Sequence, residues 1–409
     1  MGLASVLLWV VCSQNAMAAQ VEGISLSEAL DTAFELNPDL AAARREIDIA
    51  QGERQQAGLI PNPELSWEME DTRKATSTTT VSISQALELG GKRGARIDVA
   101  TRAQDAAALE LERRGNQLRG DVVQAFFAAL RAQAGLDLAL ESRALAERGL
   151  TVAEGRIRAG KSSPVEATRA QVQLAETRLQ VRQAQTTRSN AWRELAQVMG
   201  QSQMPVGRLQ SSSLSPGKAP HAPTLLNAIR QTAELRLAES QIALGDAQLG
   251  SQKAQRIPNL TVSVGSQYSR EDRERVNVVG LSVPIPLFDR NQGNVLAAAR
   301  RADQARDLRN AVELKLRTQT ELALDQWSTA SQDADAFTQV ILPAAQQAVD
   351  TATRGFEMGK FGFLEVLDAQ RTLITARGQY LESLASAANA RVVIERIHGD
   401  PARFNTQVQ

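Results

Sequence analysis

The sequence predicts a mostly helical chain that carries a small membrane-type β part, and three observations lead there. The chain repeats itself at an offset of about 200 residues. Each copy holds two short stretches with period-two polarity. Each copy also holds helix-forming runs far longer than a globular domain uses. Composition agrees: aromatics make up 4% of the 409 residues, while Ala, Leu, Gln, Glu and Arg dominate. The 46 basic residues balance the 46 acidic ones, so charge gives no case for nucleic-acid binding.

The duplication is anchored at two places. Ile60-Pro61-Asn62-Pro63-Glu64-Leu65-Ser66 recurs as Ile257-Pro258-Asn259-Leu260-Thr261-Val262-Ser263. Gly160-Lys161, Glu166, Ala170-Gln171, Leu174 and Arg178 recur as Gly359-Lys360, Glu365, Ala369-Gln370, Leu373 and Arg377. Chance similarity between Ala-rich helices explains scattered matches, but not two anchored motifs at nearly one offset.

The first 18 residues read as a secretory signal: an apolar run, Leu3 to Val11, leads to the small-x-small site Ala16-Met17-Ala18. That run is too short to cross a bilayer, which takes about 20 residues. Cys12 is the single cysteine and leaves with the signal. Trp9-Val10-Val11 ahead of it lacks the small residue that a lipid-anchor signal requires.

The first copy spans residues 19–209. A helix is expected from Ser27, its N-cap, to Gly58, where the Pro-Asn motif starts extended structure. Leu65, Trp67 and Met69 then alternate with Ser66, Glu68 and Glu70, and Val81 and Ile83 alternate with Ser82 and Ser84. Gly90-Gly91 supplies backbone freedom for a strand-to-helix turn. A helix without proline follows from Gly94 to Gly160, with Leu118, Val122, Phe126 and Leu130 in a four-residue step. Gly160-Lys161-Ser162-Ser163-Pro164 interrupts, and helix resumes to Met199 with Val165, Val172 and Leu179 on a heptad.

Residues 210–223 read as a linker. The second copy, 224–400, repeats the order: a helix over 224–256, alternating Leu260, Val262 and Val264, then alternating Val279, Leu281, Val283 and Ile285. Helix is expected over 291–358, with Pro343 marking a kink or a break between stacked segments, and over 361–398 with Leu367, Ile374 and Leu381 on a heptad. Residues 401–409 read as a tail.

Four strands cannot close a barrel, since about eight is the practical minimum. An open sheet in lipid leaves unpaired edges, each unmet backbone group costing several kcal/mol. Strands facing lipid therefore require several copies, and three would give twelve strands.

This order, helix, two strands, long hairpin, given twice, resembles the TolC family of outer-membrane efflux proteins over essentially the whole mature chain. The resemblance implies a homotrimer with a 12-stranded β-barrel in outer-membrane lipid and an α-helical tunnel across the periplasm of a Gram-negative cell. It also implies a periplasmic adaptor (membrane fusion) protein docked at the tip and an inner-membrane RND pump as partners. Leu87-Glu88-Leu89-Gly90-Gly91-Lys92-Arg93 and Trp67-Glu68-Met69-Glu70-Asp71-Thr72 are similar to the cobalt–zinc–cadmium (Czc) branch, which implies export of heavy-metal cations. Drug or organic-solute efflux is the alternative within the family.

Gly359 to Gln370 resembles the family's tip turn. Glu365 and Asp368 match its pore constriction, and a spacing of three puts both on one helical face. Glu166 matches an acidic position in the other tip turn, with Lys360 or Lys161 as cationic partner. Phe361 and Phe363 depart from a purely polar tip. No catalytic constellation, phosphate loop or cofactor motif occurs. His221 and His398, the two histidines, are far apart and form no metal site of usual spacing, so metal ions would pass through without being stored. An adaptor carries one hairpin and a structural coiled coil an unbroken heptad; the duplicated hairpins and recurring Pro-Asn breaks fit neither.

Overall fold

The computed structural model describes residues 23–161, 163–202, 206–210, 217 and 219–400. The expected signal and tail, and residues 211–216 and 218 of the expected linker, lie outside the described residues.

The first copy opens with α1 (Leu26–Leu36) and α2 (Pro38–Ala57). The expected single helix is two, because Pro38 offers no N–H to continue the first and Asn37 starts the second. Its Oδ1 accepts from Asp39 N at 3.0 Å and Leu40 N at 3.1 Å. The N-cap is Ser25 rather than Ser27: Ser25 Oγ accepts from Glu28 N while Glu28 Oε2 accepts from Ser25 N, a reciprocal capping box. In the second copy α5 (Ala222–Ala228), a short 3₁₀ turn (Ile229–Gln231) and α6 (Ala233–Ala254) occupy the same place, with Thr232 capping α6.

Four strands follow these helices: β1 (Glu64–Glu70), β2 (Thr78–Leu87), β3 (Leu260–Ser269) and β4 (Glu274–Ser282). They form one antiparallel sheet in the order β1-β2-β3-β4, so the two copies meet at the β2–β3 pair. The register aligns Leu65, Ile83, Val264 and Val279 across one face. Ser66, Ser82, Gly265 and Glu68 with Thr80 lie on the other. β4 stops at Ser282, ahead of Val283 and Ile285 that were expected inside it, because Pro284 has no N–H for a ladder. Both edges, β1 and β4, are open in the single chain. Among the described residues no helix is long and apolar enough to cross a membrane.

The long helices are α3 (Lys92–Arg158) and α4 (Pro164–Val198), then α7 (Gln292–Ala336), α8 (Leu342–Glu357) and α9 (Phe363–His398). The 67 residues of α3 span about 100 Å at 1.5 Å per residue. It packs along α4, α6 and α9, so the first copy leans on the second over most of its length. Leu118, Val122, Phe126 and Leu130 are all buried, in a core shared with Leu30 of α1, Trp192 and Leu195 of α4 and Val392 of α9. A second core gathers Leu225, Leu324, Trp327 and Ile394. The interruption expected at Pro343 takes the form of a wide π turn (Phe337–Ile341), which precedes the proline and places it in the first turn of α8.

The expected α4 heptad takes a different role. Ala170, Leu174, Thr177 and Val181 face the protein interior, while Val165, Val172 and Leu179 are 55%, 54% and 51% exposed. Among the described residues that stripe is left largely uncovered, bordered only by the groove it shares with Leu364 of α9. In α9, Leu367 is buried and Ile374 and Leu381 are half-buried.

A buried ion cluster joins the copies at mid-height. Glu395, fully buried, accepts from Arg119 Nε at 2.8 Å and Arg391 Nε at 2.6 Å. Arg119 also pairs with Asp400 at 3.1 Å, and Arg396 with Asp121 at 2.6 Å. Two guanidiniums on one carboxylate keep its charge compensated away from water.

Candidate functional site

The turn between α8 and α9 and the turn between α3 and α4 lie together at the end of the bundle farthest from the sheet. An apolar knot of Ala153, Ala170, Ala352, Phe356, Phe363 and Val366 holds them. The Phe356 and Phe363 rings lie 5.5 Å apart at 49°. Sequence reasoning anticipated the position of Phe363 but not the partnership with Phe356.

Around this knot the charged side chains are arranged outward. Glu365 and Asp368 are both exposed, one turn apart at the start of α9. Glu365 folds back toward Gly362, where an added Cβ would stand 2.8 Å from Glu365 Oε2. A carboxylate in the first helical turn also meets the positive end of the helix dipole. Glu166 is half-buried, and its Oε2 is buried without a hydrogen-bond partner among the described residues. Lys161 and Lys360 are exposed, and among the described residues no ion pair joins either to Glu166 within one chain.

Cross-linking within the chain is done instead by Arg156, which the sequence reading missed. Its guanidinium sits over the Phe356 ring, and Nη1 donates to the Phe356 carbonyl oxygen. Phe361 lies against Gly355, where any Cβ would collide with the ring. One signal was present: a chain with nine phenylalanines in 409 residues places three of them within eight positions here.

Beside Asp368 a groove of about 530 Å³ runs between α4 and α9. Val165, Val172 and Leu364 line it, with Arg169, Glu176 and Arg371 at its edges. It opens on the same largely uncovered α4 stripe. Among the described residues no group of three or more His, Cys, Asp or Glu could hold a metal ion.

At the other end of the bundle, Gly90 and Gly91 link β2 to α3, both with φ of +72°. Gly90 must also be small, since a Cβ would stand 2.7 Å from the Ile257 side chain. Lys92 Nζ donates to Asn259 Oδ1 at 2.5 Å, tying this turn to the Pro-Asn motif of the other copy. Arg96 pairs with Glu88 across the same corner.

Three comparisons complete the picture. The profile of the family described as "Outer membrane efflux protein" matches residues 29–201 and 225–400. The chain is 37% identical over 376 residues to the cobalt-zinc-cadmium resistance protein CzcC of Cupriavidus metallidurans, covering 92% of this chain and 90% of that one. It is 28% identical over 312 residues to the nickel-cobalt-cadmium resistance protein NccC of Alcaligenes xylosoxydans xylosoxydans, covering 73% and 69%. Among solved structures, CusC superposes with a TM-score of 0.76 at 19% identity over 90% of each chain. The outer membrane protein VceC of Vibrio cholerae does so with a TM-score of 0.75 at 18% identity, over 91% of this chain and 96% of that one.

Proposed function

The chain belongs to the outer membrane efflux protein family, and from that premise we propose that it is the outer-membrane duct of a tripartite pump exporting heavy-metal cations. The observation that carries the cargo is the 37% identity to a cobalt-zinc-cadmium resistance protein across nearly the whole of both chains. The duct performs no catalysis; it gives passage. Three copies close the wall: each brings four strands with two open edges, and β4 of one chain pairs with β1 of the next. The face bearing Leu65, Ile83, Val264 and Val279 meets lipid, and the Ser- and Thr-rich face lines the lumen.

Below the barrel the helices of the three chains form a tunnel across the periplasm. Its narrow end is the tip, where Glu365 and Asp368 from each chain make two stacked carboxylate rings that favour cations. Glu166, Lys161 and Lys360 belong to the contacts between helices of neighbouring chains there, which fits their lack of mutual pairing within one chain. A periplasmic adaptor docks at this end and links the duct to an inner-membrane RND pump.

The test is a clean gene deletion in the host. Lowered tolerance to cobalt, zinc or cadmium, restored by the wild-type gene, supports the proposal. Unchanged metal tolerance together with greater sensitivity to antibiotics would reassign the cargo to organic solutes.

A further inference from the structure

The sheet's outer face is not centred on the sheet. At the end far from the helices, its rows are mixed: Met69, Thr79, Tyr268 and Arg275, then Trp67, Val81, Ser266 and Asn277. Toward the helices the rows are mainly apolar: Leu65, Ile83, Val264 and Val279, then Val262 and Leu281 beside the single polar Gln85, then Leu87 and Leu260. From Arg275 to the end of β4 at Ser282, seven residues at about 3.3 Å each and about 45° tilt rise about 16 Å. A barrel's apolar band is about 25 Å tall. The strands therefore end before the band is complete.

The chain continues that band beyond the sheet. Val279, Leu281, Val283 and Ile285 keep the same alternation, and Val283, Ile285, Leu287 and Phe288 are 48%, 77%, 64% and 91% exposed. Reaching Ile285 brings the height to about 23 Å on the same geometry. This stretch also suits an apolar setting in its backbone. Pro284 and Pro286 have no N–H to leave unmet, and Leu287 N donates to Ile285 O at 2.9 Å. Leu59 and Ile60, the exposed residues entering β1, stand at the matching level of the other edge. Cations mark the lower boundary: exposed Arg290 donates to Leu287 O at 3.5 Å, and exposed Arg93 donates to Gly58 O at 2.7 Å.

We propose that Val283–Phe288 is a non-strand membrane anchor seated in the periplasmic leaflet of the outer membrane, with Arg290 and Arg93 at the level of the phospholipid phosphates. The anchor rests on the reading of the sheet as part of a closed barrel in that membrane. Charge complementarity between guanidinium and phosphate, and continuity with the lipid-facing rows, select phospholipid as the occupant.

The test places nitroxide labels by F288C and, as reference, V279C, in the mature chain, which has no other cysteine once Cys12 leaves with the signal, on trimers reconstituted in phosphatidylethanolamine–phosphatidylglycerol vesicles. Accessibility to oxygen and to a water-soluble nickel chelate is read by power-saturation EPR. Both labels should be oxygen-dominated, with F288C shallower than V279C, and L287C should give the same result as F288C. A nickel-dominated F288C beside an oxygen-dominated V279C overturns the anchor and leaves the barrel intact. A F288C label reached by neither reagent also overturns it, by showing that a neighbouring copy covers the segment. A nickel-dominated V279C defeats the barrel reading itself.

Discussion

The Arg156 guanidinium lies 4.6 Å from the centroid of the Phe356 ring while donating to the carbonyl oxygen of the same residue. One side chain of the first copy thus grips the last turn of α8, in the second copy, by two different forces. A cation–π contact contributes about 0.5–2 kcal/mol, and a hydrogen bond from a charged donor about 1.5–3 kcal/mol. Arg156→Ala should raise hydrogen exchange of the amides of 355–361 by tenfold or more, with Arg156→Lys intermediate. Exchange around Phe126 should not change. Equal protection at the tip in all three proteins would show that the contact holds nothing.

Removing the Glu365 and Asp368 carboxylates by double Ala substitution should leave trimers intact on gels. In planar bilayers the same channels should lose cation preference and change conductance. Currents indistinguishable from wild type would refute the proposed constriction at these two residues.

Val172 is 54% exposed at the centre of the largely uncovered α4 stripe. Burying such a side chain contributes about 1.5–3 kcal/mol, and a charge placed there reverses the sign. Val172→Glu should therefore prevent trimer formation, seen by size-exclusion in detergent, while helical circular dichroism stays at the wild-type level. A normal trimer would exclude this stripe from the contact between copies.

Glu395 is fully buried between Arg119 and Arg391. Glu395→Ala leaves Arg391 without its carboxylate and Arg119 with Asp400 alone, and should cost at most about 3–5 kcal/mol. The drop appears as a lowered thermal midpoint at fixed scan rate. A midpoint within one degree of wild type would mean that water reaches the cluster.

Burial holds the His398 imidazole down at about 4, against an ordinary 6.5. The folded chain keeps it neutral while the unfolded chain takes up the proton, so stability falls as pH drops from about 6.5 to about 4. The loss reaches about 3 kcal/mol and is constant below that window. His398→Gln, which keeps a partner for Thr320 Oγ1, should flatten the slope of the denaturant midpoint over that range. A parallel slope in both proteins would assign the acid sensitivity to other groups.

Much of this architecture was legible in the residues because it depends on local patterning. Duplication, the period-two strands and the proline-free length of α3 needed only spacing. Detail that depends on competition between caps was less legible. Ser25-Leu26-Ser27-Glu28 offers two serines, and the reciprocal bond with Glu28 selects the first. The single helix expected from Ser27 to Gly58 ran through Asn37-Pro38, where the Asn37 side chain instead caps a new helix. The α4 heptad gave the right period and no direction, since a stripe every seven residues does not say which neighbour it faces. At the tip, matched motifs singled out Glu365, Asp368 and Glu166, which lie in the opening turns of α9 and α4. Arg156 stayed hidden because it acts on a backbone carbonyl and a ring some 200 residues away, a contact that leaves no spacing signature.

The central β2–β3 pairing joins one hairpin from each copy, running in opposite directions with ten aligned residue pairs. In the proposed three-chain ring, the joint from β4 to the next chain's β1 would have the same polarity, so six nearly equivalent hairpins would stand around the axis. Every second joint is then formed within one polypeptide, at no cost of bringing separate molecules together. On that proposal, duplication halves the number of encounters that assembly needs, and a ring of six-fold character would close through three meetings in the membrane.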